Sequence, residues 1–213
     1  MQTKEHHIAI KKTARYFTLG EFTEGKNLII ALHGYGYLAQ FFIRKFNGAD
    51  FSKFVVVCPE GLHRFYQSGT DGRVGASWMT KEDRLTDIKD YINYLDDLLD
   101  ELKKQCDFSS ITIIGFSQGG ATASRWLAYG KHSFDKFVLW ATVFPPDMEK
   151  EYTEKFHQSK NYFVFGNNDE YYSPEKVEEH YNALKSLNIQ FEMLTFEGNH
   201  NIHEETFLKI IND

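Results

Sequence analysis

A β-branched run, Ile111-Thr112-Ile113-Ile114, leads directly into Gly115-Phe116-Ser117-Gln118-Gly119-Gly120 and then into a stretch holding Ala121, Ala123 and Ala128. This pattern reads as a buried strand, a Gly-x-Ser-x-Gly turn and a helix of small residues. A serine on such a turn projects its hydroxyl from the end of a sheet, where a base can reach it. Gly115 and Gly119 lack side chains for a steric reason, because strand and helix pass close together there.

Other segments supply the sheet that this turn requires. Leu28-Ile29-Ile30-Ala31-Leu32, Phe54-Val55-Val56-Val57-Cys58, Phe137-Val138-Leu139-Trp140-Ala141 and Tyr162-Phe163-Val164-Phe165 are continuous apolar runs, as expected of strands buried on both faces. Phe191 to Phe196 reads as the last strand, and residues Ile8 to Leu19 read as one or two edge strands. Helices are expected over Leu38 to Phe46, after Thr86, after Ser117 and over about Glu204 to Ile211. Ile88, Tyr91, Ile92, Leu95, Leu98, Leu99 and Leu102 follow Thr86 at helical spacing. Ser173 and Pro174 read as the cap and first position of a further helix, and Asp147 to Phe156 as an acidic helix-like stretch. From Glu60 to Arg84 the pattern breaks into a long loop of scattered glycines and aromatics, with small helical turns at most. Strands alternating with helices, without a repeat or linker, predict an α/β fold: one domain over 1–213, with a mostly parallel sheet covered on both faces and no separate lid.

Polar candidates collect just after the strand ends: His33, Ser117, Asp169 and His200. In open α/β sheets the ligand crevice lies at the carboxyl ends of the strands. A neutral serine hydroxyl needs a base within about 3 Å, and the base needs a group that holds its tautomer. Ser117, Asp169 and His200 offer nucleophile, orienting acid and base in the chain order expected for this type of sheet. His203 is the rival base; Glu170 and Asp147 are rival acids. Oxyanion donors are expected from the backbone N–H of Gln118, directly after the nucleophile, and of Tyr35, in the loop His33-Gly34-Tyr35-Gly36. His33 is read as orienting that loop. Phe41, Trp78, Phe144 and Tyr171 are candidate pocket walls, together with Phe65, Tyr66 and Tyr172.

Four segments carry a family resemblance: Leu32-His33-Gly34-Tyr35-Gly36, Gly115-Phe116-Ser117-Gln118-Gly119-Gly120, Gly166-Asn167-Asn168-Asp169 and Gly198-Asn199-His200-Asn201-Ile202. The chain resembles the phospholipase/carboxylesterase family of α/β-hydrolases, which includes acyl-protein thioesterases. The resemblance implies the same three catalytic residues, oxyanion donors at Tyr35 and Gln118, no cofactor and little or no lid. The chain departs from the family pattern at Tyr37, at Glu170-Tyr171-Tyr172-Ser173 and around Trp78.

The expected activity is that of a serine esterase acting through an acyl-enzyme on small or medium acyl esters. Acyl-protein thioesterase or lysophospholipase-like activity is the alternative, with a non-catalytic binding protein on the same fold as the alternative of another class. A net charge of −6, 25% charged residues and 42% hydrophobic residues suggest no general nucleic-acid surface. His203-Glu204-Glu205 lacks the second histidine of a metal helix motif, and the glycine loop lacks nucleotide-binding spacing, so neither metal nor cofactor is expected. Cys58 and Cys106 form no disulfide or metal framework. No apolar run reaches membrane-spanning length and no signal peptide follows Met1, so the expected setting is cytoplasmic. The expected partner is an ester or thioester substrate, and surface aromatics permit a homodimer.

Overall fold

A computed structural model describes residues 2–148 and 152–213. The strands are β1 (Tyr16–Leu19), β2 (Asn27–Leu32), β3 (Phe54–Pro59), β4 (His63–Tyr66), β5 (Val74–Ser77), β6 (Ser110–Phe116), β7 (Lys136–Trp140), β8 (Lys160–Gly166) and β9 (Glu192–Phe196). The α-helices are α1 (Ala39–Phe42), α2 (Arg84–Lys103), α3 (Gln118–Tyr129), α4 (Pro174–Ser186) and α5 (Glu204–Asn212), with 3-10 turns at Ile43–Phe46 and Glu154–Gln158.

Seven strands form one sheet in the order β1-β3-β2-β6-β7-β8-β9. Among the described strands of this sheet, only β1 is antiparallel, running against β3. The remaining neighbours pair in parallel. The chain steps from β2 to β3 on one side, then returns to place β6 on the other side of β2. The carboxyl ends of β2 and β6 therefore flank the switch point, where such sheets form their crevice.

Side chains of the continuous apolar strands alternate between two cores. Leu28, Ile30, Val55, Val57, Ile111, Ile113, Phe137, Leu139 and Phe163 pack under α2 and α3. Ile29, Ala31, Val56, Ile114, Phe116, Val138, Trp140, Tyr162 and Val164 pack against Phe42, Phe46, Phe207 and Ile210 on the opposite face. Burial on both faces is why these strands show no polar alternation. Helix α2 buries Tyr91, Leu95, Leu99 and Leu102. Truncating one of these leucines to alanine costs about 2–5 kcal/mol through lost contact and the cavity left behind. Its buried Asp96 accepts the Trp126 Nε1–H from α3 at 2.9 Å, an interhelical bond that hydrophobic spacing does not show.

Several elements differ from the sequence expectation. Only Tyr16–Leu19 of the N-terminal segment forms a strand. Its register begins at Tyr16 opposite Pro59, where β3 ends, and Ile8 and Ile10 before it are exposed. The expected helix over Leu38 to Phe46 is one α-turn followed by a 3-10 turn, with no side-chain cap at Leu38. The region from Glu60 to Arg84 is not merely a loop: β4 and β5 pair as an antiparallel hairpin, with His63 opposite Ser77. Each hairpin strand has four residues, too short for a clear alternation, and Gly75 weakens the second. Helix α2 starts at Arg84, after Asp83 in a left-handed conformation (φ 45°). The Ser173 side chain accepts the Lys176 N–H at the start of α4, as the cap reading required. Of the acidic stretch from Asp147 to Phe156, residues 149–151 lie outside the described residues, and its C-terminal part enters the 3-10 turn Glu154–Gln158.

Candidate active site

Ser117 sits between β6 and α3 with φ 53° and ψ −122°, a region that side chains other than glycine rarely occupy. Such a conformation costs about 1–3 kcal/mol and persists only when the surroundings impose it. Here they do. The Ser117 N–H donates to the Trp140 carbonyl at 3.0 Å, and the Ser117 carbonyl accepts the Gly120 N–H at 2.9 Å. A Cβ on Gly119 would fall 2.2 Å from the Leu32 carbonyl oxygen, and one on Gly115 would fall 2.5 Å from that of Gly119. The two glycines let α3 start hard against the sheet, with Ser117 at its N-terminus.

The glycine loop after β2 reaches the same point. A Cβ on Gly34 would lie 3.0 Å from the Ser117 Cβ, so the loop backbone abuts the serine. His33 holds it from beneath. Its Nε2 accepts the Gly61 N–H at 2.9 Å, which leaves Nδ1 protonated to donate to the Gly34 carbonyl at 2.8 Å. Burial pushes the His33 imidazole down to about 4, so it stays neutral and fixed in this tautomer at ordinary pH. The Trp78 Nε1–H donates to the His33 carbonyl at 2.8 Å, and the Gly36 N–H to the Ala76 carbonyl at 2.9 Å. Among the described residues the Tyr35 N–H has no hydrogen-bond acceptor. The Gln118 N–H belongs to the first turn of α3, whose donors lack intrahelical partners.

The Gln118 side chain has a role that the sequence did not reveal. Its Oε1 accepts the Trp78 N–H at 3.1 Å, and its Nε2 donates to the Met79 carbonyl at 2.9 Å. The residue after Ser117 thus fastens the end of the hairpin to the start of α3. Glu60, at the end of β3, is a second residue that no motif marked. It is buried, takes the Arg15 guanidinium on both oxygens at 2.7 and 3.0 Å, and binds Arg64 at 2.8 Å and the Ala39 N–H at 3.2 Å. Burial opposes its ionisation, but the hydrogen bonds from Arg15 and Arg64 outweigh it and hold the carboxyl below its usual range. Arg15 and Ala39 lie far from Glu60 in the chain, so no local pattern announces them.

On the other side of Ser117, the loops after β8 and β9 bring Asp169 and His200 together. The Asn167 N–H donates to the Phe196 carbonyl at 2.8 Å and the Asn168 N–H to the Gly198 carbonyl at 3.0 Å, which locks the two loops to each other. His200 Nδ1 donates to Asp169 Oδ2 at 2.8 Å, while Asp169 Oδ1 accepts the Tyr171 N–H at 2.9 Å. This bond leaves His200 Nε2 as the imidazole nitrogen free to accept a proton. The ring lies over Phe116, 4.8 Å between centroids, which brings it beside the residue preceding Ser117. Among the described residues no hydrogen bond joins the Ser117 hydroxyl to His200; such bonds are often loose before substrate binds.

The rival residues have other partners. His203 stacks on Phe196 at 4.9 Å and bonds Thr206 Oγ1 at 3.0 Å at the start of α5. Asp147 pairs with Arg125 at 2.7 Å and with Arg84. Glu170 accepts the His200 backbone N–H at 3.4 Å rather than its ring.

The expected wall residues divide. Tyr171 is 62% exposed, and its ring meets His200 edge-on at 4.7 Å. Phe41 is exposed beneath the Arg44 guanidinium. Trp78 and Phe144 are corrections to the wall assignment. Trp78 is wholly buried with its ring 5.1 Å from His33, so it supports the glycine loop from behind. Phe144 is buried edge-on against Phe156. The Tyr35 ring, not expected as a wall, is 60% exposed and stacks on Phe65 at 5.0 Å. A separate groove of about 570 Å³ opens between α4 and strands β8 and β9, lined by Phe165, Tyr172, Val177, Tyr181 and Met193. It lies behind Tyr172 and does not include Ser117.

A mostly parallel sheet with helices on both faces and a strained serine at the strand-to-helix turn define the fold class as an α/β-hydrolase. The chain belongs to the phospholipase/carboxylesterase family, whose model matches residues 21–213. Among solved structures, Zea mays acyl-protein thioesterase 2 is similar, with a TM-score of 0.70 and 14% identity over 94% of this chain and 97% of that one. The Bacillus cereus carboxylesterase has a TM-score of 0.65 and 19% identity, covering 93% and 92%. A phospholipase/carboxylesterase from Dyadobacter fermentans has a TM-score of 0.64 and 16% identity, covering 94% and 95%. At these identities the likeness shows the shared fold. No curated protein matches the chain by sequence. No helix among the described residues is long and apolar enough to cross a membrane.

Proposed function

We propose that the protein is a serine carboxylic-ester hydrolase acting on small or medium acyl esters through an acyl-enzyme. The observation that carries this reading is the pairing of His200 Nδ1 with Asp169 at 2.8 Å at the same sheet end as Ser117, which is held at φ 53°. His200 Nε2 takes the Ser117 proton as Oγ attacks the acyl carbon. The tetrahedral oxyanion meets the N–H groups of Gln118 and Tyr35. The bond from the acyl carbon to the leaving oxygen then breaks, and His200 returns its proton to that oxygen. Water attacks the acyl-serine by the same route in reverse, releasing a carboxylic acid and free Ser117. Asp169 holds the imidazole tautomer and stabilises its protonated form.

The test is hydrolysis of 4-nitrophenyl esters of rising acyl length, with fluorophosphonate labelling of the same protein. Labelling at Ser117, with turnover abolished in Ser117→Ala, is the expected result. Full turnover in Ser117→Ala sinks the nucleophile assignment, and absence of labelling and turnover favours a binding protein that keeps the fold. The likeness to an acyl-protein thioesterase favours a second arm with the matching acyl thioesters. A steep rise in rate with acyl length assigns the lipid-like reading, and a flat profile beyond short acyl groups assigns the small-ester reading.

A further inference from the structure

In the proposed mechanism, on which this inference rests, His200 hands its proton to the leaving atom. The leaving group must therefore lie against the His200 imidazole, whatever acyl group is cleaved. Two side chains lie next to His200. Tyr171 offers an exposed ring 4.7 Å from the His200 ring. Glu170 places Oε2 3.4 Å from the His200 backbone nitrogen, on the exposed rim. No lysine, arginine or histidine side chain forms an ion pair with Glu170 among the described residues. Lys45 lies at the neighbouring turn but is bonded to the Asn201 side chain. Tyr37 lies within reach of this carboxylate: burial first, then Tyr171 and Glu170, push its hydroxyl up. Across the glycine loop, Tyr35 stacked on Phe65 presents a second exposed aromatic face.

We propose that the leaving-group side of the cleft selects esters and thioesters of small ammonium-bearing alcohols or thiols, with the cation seated between the Tyr171 ring and the Glu170 carboxylate. An ammonium over an aromatic face is attracted by the ring quadrupole, and the Glu170 carboxylate, without an ion-pair partner among the described residues, adds a direct Coulomb attraction. A neutral alkyl group of the same shape keeps the ring contact but covers Glu170 without pairing it, which is unfavourable. An anionic leaving group is repelled.

The experiment compares kcat/KM for butyrylcholine with that for 3,3-dimethylbutyl butyrate, its neutral isostere, using 4-nitrophenyl butyrate as the reference ester. The expected result is a preference of roughly tenfold for the cationic ester. That ratio falls toward unity in Glu170→Gln and is reduced in Tyr171→Leu, and added salt erodes it in the unmodified protein. The ratio is the readout, because a Glu170 that merely positioned His200 would slow both esters alike. Equal rates for the two isosteres, a preference for the neutral one, or a ratio unchanged in Glu170→Gln overturns the proposal. Absence of Ser117-dependent turnover of 4-nitrophenyl butyrate overturns the hydrolase reading instead, and this one with it.

Discussion

On the β2 side of Ser117, the glycine loop is held by hydrogen bonds between neutral groups: buried ones from His33 to Gly61 and Gly34 and from Trp78 to the His33 carbonyl, and a part-buried one from Gln118 to the hairpin end. On the β8–β9 side, the buried Asp169 carboxylate meets the His200 imidazole beneath exposed Tyr171. The difference matches the two tasks that the proposed mechanism gives these sides. Oxyanion donors act best when preorganised, since no reorganisation is then needed as charge develops. A general base must change charge in every cycle, so its surroundings must accommodate both states. Changes on the first side should therefore disturb folding and rate together, and changes on the second should disturb rate alone.

The largest expected effect separates strain from chemistry at the residue between the two sides. Ser117→Gly should lose about 10⁴-fold or more in kcat. The same change relieves the positive-φ conformation and should raise stability by about 1 kcal/mol, or roughly 2–4 °C in Tm for a chain of this size. A Tm that fell would show the backbone geometry to be unstrained.

On the base side, Asp169→Asn should lower kcat by about 10³–10⁴-fold through the wrong imidazole tautomer. Its thermal midpoint should stay within a few degrees. A large loss of stability would erase the contrast between the two sides, because Asp169 would then be holding the loop as well as His200.

On the glycine-loop side, His33 makes a pH prediction. Its folded-state value of about 4 lies below its ordinary 6.5. The unfolded chain takes up the proton first as pH falls, so the neutral buried imidazole contributes stability that is fully present above 6.5. That contribution declines between 6.5 and 4 and is gone below 4. The loss amounts to about 3 kcal/mol. Urea unfolding at pH 7, 5.5 and 4 measures it, and His33→Gln should show a shallower decline over the same window.

Trp78→Phe removes the N–H that binds the His33 carbonyl. It should cost about 1–3 kcal/mol of stability and lower kcat with little change in KM. The smallest effect is expected at exposed Phe41, where alanine should change stability by no more than about 0.5 kcal/mol. An altered acyl-length profile in Phe41→Ala would extend the cleft to that side.

The sheet was legible because β2, β3, β6, β7 and β8 are buried on both faces and read as unbroken apolar runs. The candidate site positions could be picked out because each follows a strand end, and the structure joins two of them, Asp169 and His200, by a hydrogen bond. The β4–β5 hairpin was not, since four-residue strands with Gly75 in one of them carry little periodicity. The supports were hidden for another reason. Trp78 pairs with His33, and the Gln118 side chain with Met79, across long stretches of chain, so an indole read as a pocket wall proved to be a strut. The same distance hides the Glu60 pair with Arg15.

The contact of Gly34 with Ser117 joins the ends of β2 and β6, two neighbouring strands separated in the chain by β3, the hairpin and the whole of α2. The two N–H groups proposed to hold the oxyanion, on Tyr35 and Gln118, come together only when that long excursion has closed. Helix α2 can form locally and early, while long-range parallel pairing is slow. During refolding, recovered turnover should thus lag behind recovered helical signal, which makes the catalytic site a clock for the last long-range closure of the sheet.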